Sequence, residues 1–115
     1  MKVTPNSRNF DYDVRSLLGY MPPGYVVAGA GSSEYDGFYL EGGELNGKPW
    51  YEITTGGKWI NYSDQNKWII SNQVPQNGGP TYVLYESADD DNNKPPSTGW
   101  TVVSGTAPVP TVTHS

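Results

Sequence analysis

The sequence predicts an all-β protein: a compact antiparallel meander closed as a small barrel or sandwich, with an N-terminal arm before it and an extended tail after it. Three observations carry this. Short aromatic and β-branched segments recur from residue 25 to residue 103, and such side chains fit a pleated surface. The residues between them are Gly, Asn, Asp and Ser, which reach the backbone conformations that tight turns need. The connections are also too short for the crossover that a parallel pair requires, so successive strands must be antiparallel neighbours.

Taken in order, the arm of residues 1–24 comes first. It places Phe10, Val14, Leu17 and Leu18 at i, i+4, i+7 and i+8, one stripe of a short helix. Ser7 and Asn9 are candidate caps, and Gly19 with Pro22 and Pro23 ends the stretch. A helix this short is marginal alone in water, so the stripe, with Tyr12 beside it, is expected to dock as a helix or as an extended anchor. The β-domain of residues 25–104 follows. Its expected strands cover residues 25–30, 38–41, 50–54, 58–62, 67–71, 81–86 and 100–103. Asn46-Gly47 marks a two-residue hairpin turn before the third strand. Glycines 29 and 31 read as a bend between strands rather than a phosphate loop, since no lysine or helix follows them. Residues 105–115 form the tail, where Pro108 and Pro110 favour an extended chain and forbid a central strand.

Composition bounds the function. One domain is all that 115 residues support, and four Trp, nine Tyr and two Phe argue against disorder. A net charge of −5 opposes a role built on phosphate contacts, so no nucleic-acid partner is expected. The charge is uneven: residues 25–115 hold four lysines against ten carboxylates, a balance of −6, while the arm is slightly positive. Without cysteine there is no thiolate metal site, disulfide or thiol nucleophile. No apolar run is long enough to span a bilayer, and residues 1–10 lack the apolar block of a signal peptide, so neither membrane association nor secretion by that route is expected.

The chemistry-bearing residues are few. His114 is the single histidine and lies in the tail, so a Ser-His-Asp arrangement has poor material. Carboxylates such as Glu34 with Asp36, or Glu41 with Glu44, show no spacing that selects a hydrolytic pair. The acidic loop of residues 86–93 fails as an EF-hand, because Lys94 stands where glycine is required and Trp100 where glutamate is. The expectation is a protein without enzymatic activity, metal or cofactor. Aromatic surplus is the positive signal. Trp59 lies opposite in phase to Ile60 and Tyr62, and Ile69 opposite to Trp68 and Ile70, so both sheet faces carry apolar residues. Tyr39, Trp50, Trp59, Tyr62 and Trp68 are therefore candidates for an exposed platform that takes a partner subunit or a sugar ring.

From residue 25 onward, the order VAGAG, DGFY, NGKPWY, KWINY, KWIIS, YVLYES and GWTVVSGTAPVPTV resembles a short β-module found in phage and large-virus structural proteins and in some multidomain surface proteins. The resemblance leaves out residues 1–24 and brings no catalytic activity. It implies a virion structural or accessory protein of a phage: a capsid-decorating or head-fibre-like subunit, or a small tail accessory, made in the host cytoplasm and carried on the particle. In that setting Phe10, Tyr12, Val14, Leu17 and Leu18 would contact capsid or other virion proteins, and the β-domain would form homo-oligomers. A carbohydrate-binding module that stacks sugars on Trp and Tyr is the alternative.

Overall fold

The computed structural model describes residues 24–77 and 82–114, and the five arm residues expected to anchor the chain lie outside that range. The described chain is all-β, a single antiparallel sheet curled into a half-barrel. Its strands are β1 (Gly24–Ala28), β2 (Gly37–Leu45), β3 (Lys48–Ile53), β4 (Trp59–Tyr62), β5 (Trp68–Ser71), β6 (Val83–Glu86), β7 (Thr101–Val102) and β8 (Thr111–His114). A 3-10 turn at Ser33–Tyr35 is the one non-strand element between β1 and β2.

The order across the sheet is β7-β6-β5-β4-β3-β2-β1-β8. Seven strands thus form the expected meander, and the eighth is a correction to the expected tail. Residues 111–114 pair with β1 in the register Tyr25↔His114 to Ala28↔Thr111. Proline does keep Pro108 and Pro110 out of the ladder, but the Thr-Val-Thr-His segment after them is β-branched and alternates, with Val112 buried and Thr111 and Thr113 exposed.

β2 is longer than expected for a related reason. Glu41-Gly42-Gly43 reads locally as a turn, yet the strand runs through it with a bulge between Glu41 and Gly43. The true reversal is Asn46-Gly47, where both residues have positive φ, 56° and 80°, as a type I′ turn requires.

The core lies on the concave face. Tyr25, Val27, Tyr39, Tyr51, Ile53, Ile60, Tyr62, Trp68, Ile70, Tyr85, Trp100 and Val112 form one buried cluster. Alternation along β4 and β5 puts Ile60, Tyr62, Trp68 and Ile70 inside and leaves Trp59, Asn61, Ile69 and Ser71 on the convex face. Trp100 enters the cluster from the long loop after β6, and its indole N–H donates to Pro96 O at 2.9 Å.

Curling brings the two ends of the sheet together without pairing them. The link from β7 to β8 crosses between the two ends and is tied to β6 and to the β1–β2 connection. Gly31 N–H donates to Pro108 O at 2.8 Å. Tyr85 O–H donates to Thr106 O at 2.7 Å and accepts from Ser32 N–H at 3.0 Å. Thr106 N–H closes the loop on Ser32 Oγ at 3.0 Å. Gly31 is glycine because a Cβ there would sit 2.1 Å from Ala107 O.

Candidate recognition site

The five residues expected to form a platform separate cleanly. Tyr39 and Trp68 are 0 % exposed and Tyr62 is 6 % exposed, so these three belong to the core and cannot form a surface platform. Their fate follows from strand parity: each has its side chain on the concave side, where the curled sheet excludes water. Tyr39 O–H donates to Tyr35 O at 2.7 Å, and burial drives its phenol pKa far above the ordinary value, with Tyr35 and Asp36 adding to the effect. Tyr62 meets Trp68 edge-on, with ring centroids 5.4 Å apart. Lys48 Nζ lies 4.7 Å above the Tyr62 ring.

Trp50 and Trp59 have the opposite phase and remain half-exposed on the convex face. Sheet register puts them around one carboxylate. Glu52 pairs with Leu40 on one side and with Trp59 on the other, and Trp50 precedes it by two residues on the same face of β3. Leu40, Glu52, Trp59 and Ser71 thus form one transverse row across β2 to β5.

The bulge in β2 fixes Trp50. An added Cβ at Gly42 would stand 2.1 Å from Trp50 Cζ3, and one at Gly43 would stand 2.9 Å from Cζ2. The indole therefore lies across the two glycines, which together make room for it. The expected second strand ends at residue 41, whereas the strand runs on through Gly42 and Gly43, which hold an aromatic ring against bare backbone. Beside the indole is an open pocket of about 310 Å3 lined by Leu40, Glu41, Gly42, Trp50, Glu52 and the start of the β3–β4 turn. Glu52 Oε2 accepts a long hydrogen bond of 3.4 Å from Gly57 N–H at that turn.

The other half of the convex face is covered. Asn61 Nδ2 donates to Gln76 O at 2.7 Å, which holds the segment after β5 against β4. Asn77 Oδ1 accepts from Asp64 N–H and from Asn46 Nδ2, at 3.1 and 2.8 Å. Ile69, on the same convex side, is accordingly buried. Leu40, Trp50 and Trp59 on this face are half-buried, none of them fully covered among the described residues.

Glu52, Leu40 and Gly42 were not among the sequence-derived candidates. The readable signal was the Trp50-x-Glu52 spacing, which puts an indole and a carboxylate on one face of any strand. Elsewhere the acidic loop is a pinned turn: Asp90 Oδ1 accepts from Asn92 N–H at 2.8 Å, and Lys48 Nζ donates to Asp91 O and Asn93 Oδ1 at 2.9 and 3.1 Å. Among the described residues no cluster of acidic or histidine side chains could hold a metal ion. His114 is exposed on β8, its ring 5.1 Å from that of Tyr25. Among the described residues no helix is long and apolar enough to cross a membrane. No protein-family model, curated protein or solved structure matches the chain.

Proposed function

We propose that this chain is a non-enzymatic display module, a virion structural or accessory protein of a phage. Its β-domain presents the convex β2–β3–β4 surface for contact, and its first 24 residues attach it to the particle. The observation that supports a contact role is the half-exposed Trp50, Glu52 and Trp59 on a domain whose core is already filled from the other face. Side chains of this kind are enriched where proteins bind, because they contribute large apolar area with few rotors to immobilise. The order of strand motifs and the apolar stripe of the arm support the placing on a virion. Burial of Phe10, Val14, Leu17 and Leu18 at ~1.5–3 kcal/mol each is ample for attachment when repeated around a symmetric particle.

The test is a full-length Leu17→Asp/Leu18→Asp double variant, assayed by co-sedimentation with virions of the phage that encodes it. Loss of particle attachment with an unchanged circular dichroism spectrum is expected. Attachment at the wild-type level would overturn the anchoring role.

Carbohydrate binding is the second reading, and the pocket beside Trp50 favours it.

A further inference from the structure

We infer that the pocket between the β2 bulge and the β3–β4 turn is a subsite for one uncharged pyranose ring, with the Trp50 indole as stacking surface and the Glu52 carboxylate as acceptor for ring hydroxyls. This rests on the convex face being the contact surface of the module.

Three features select a sugar. The first is a flat apolar plate that is already held in position. Because the indole lies over Gly42 and Gly43, whose Cβ positions would collide with it, one side of the ring is backed by main chain. A pyranose offers a matching plate of C–H groups, and a preset aromatic surface loses little freedom when one settles on it. The second is the acceptor beside the plate. Glu52 shares a strand face with Trp50, and among the described residues it accepts one long hydrogen bond, of 3.4 Å, through Oε2. A carboxylate accepts from two adjacent hydroxyls with charge-assisted bonds, roughly twice as strong as neutral ones. The third is size: at about 310 Å3, the pocket sits at the small end of ligand sites, near 300 Å3, and suits a single ring.

The charges narrow the class. Glu41 and Glu52 line the pocket, and among the described residues no lysine does. Lys48 is engaged at the acidic loop, and Lys58 lies over the Tyr35 ring at 5.3 Å. Uronic and sialic acids would bring a carboxylate against two others, so the ligand is neutral. A quaternary ammonium group would suit the charge, but such ligands take a cage of several aromatic rings, and among the described residues Trp50 is the one aromatic that lines the pocket.

Saturation-transfer NMR on the full-length chain tests this. The probes are the methyl glycosides of glucose, galactose, mannose and N-acetylglucosamine, with glucuronate, N-acetylneuraminate and tetramethylammonium as contrasts. At least one neutral glycoside is expected to saturate with a Kd on the order of 1 mM, as suits a one-ring site. Trp50→Ala should weaken it about tenfold or more, and Glu52→Gln by a smaller factor, each with an unfolding midpoint close to wild type. The subsite is overturned if no neutral glycoside saturates, if a charged probe binds more tightly, or if binding survives Trp50→Ala. Should the sugars fail while Trp50→Ala and Trp59→Ala still abolish self-association or a virion contact, the sugar subsite falls and the contact surface stands. If those variants also change nothing, both fall.

Discussion

The two faces of this sheet are built from the same residue types and end in different states. On the concave face, Tyr39, Tyr62 and Trp68 are enclosed by neighbouring strands and by Trp100 from the long loop. On the convex face, Trp50 and Trp59 stand one residue out of phase with those and meet solvent. Side-chain chemistry does not separate them, since both faces carry indoles. Separation comes from strand parity and from what folds back: the segment after β5 covers Asn61 and Ile69, and nothing comparable among the described residues covers Trp50. Aromatic content in a β-domain therefore has to be resolved strand by strand before it can be read as core or as surface.

Tryptophan truncation probes this difference most strongly. Trp68→Ala should destabilise the domain by about 3–5 kcal/mol, and Trp59→Ala by about 1 kcal/mol or less, read from urea unfolding midpoints. Similar losses at the two sites would erase the distinction between faces.

Alkaline titration sharpens it next. Burial raises the phenol pKa of Tyr39 and of Tyr51 well above the usual value of 10.0, with carboxylate and neighbouring phenol charges adding to it. Both groups stay protonated in the folded chain while their unfolded counterparts begin to lose protons near pH 10. Stability should therefore be level below that pH and fall above it, by about 1.4 kcal/mol per pH unit for each phenol, until the folded groups themselves ionise. Urea midpoints measured from pH 8 to pH 11 report the slope, and Tyr39→Phe should reduce it. An unchanged midpoint at pH 11 would mean that the concave face is wetter than its packing implies.

A smaller effect than the loss of Trp68 is expected at the β2 bulge. Gly42→Ala forces the Trp50 ring to move and should lose about 1–3 kcal/mol, with a shift in indole fluorescence. The loss should shrink markedly in a Trp50→Ala background, because the three atoms nearest an added Cβ all belong to Trp50. Additive losses would show that Gly42 is required by the backbone instead.

Much of the fold was legible in the residues. Alternation and turn chemistry located seven of the eight described strands, and Asn46-Gly47 identified its hairpin. What escaped depends on contacts distant in sequence. Gly42-Gly43 looks like a turn until a tryptophan from the next strand is seen lying on it. β8 looks like tail because prolines precede it, and only β1, far away in sequence, supplies its partner. For the site, local sequence marked Trp50 and Trp59 as candidates but ranked Tyr39, Tyr62 and Trp68 beside them. Alternation says that two residues lie on opposite faces; it does not say which face closes. Glu52 went unread because a lone carboxylate in a strand becomes informative only when register sets it beside an indole.

The pairing of Tyr25 with His114 has a consequence for the chain as a whole. With the last described strand beside the first, and the crossing link tied to Ser32 and Tyr85, the path of the described backbone is a ring interrupted at one point. A short peptide joining residue 114 to residue 24 would complete that ring, and the chain could then be opened at Asn46-Gly47 with every ladder retained.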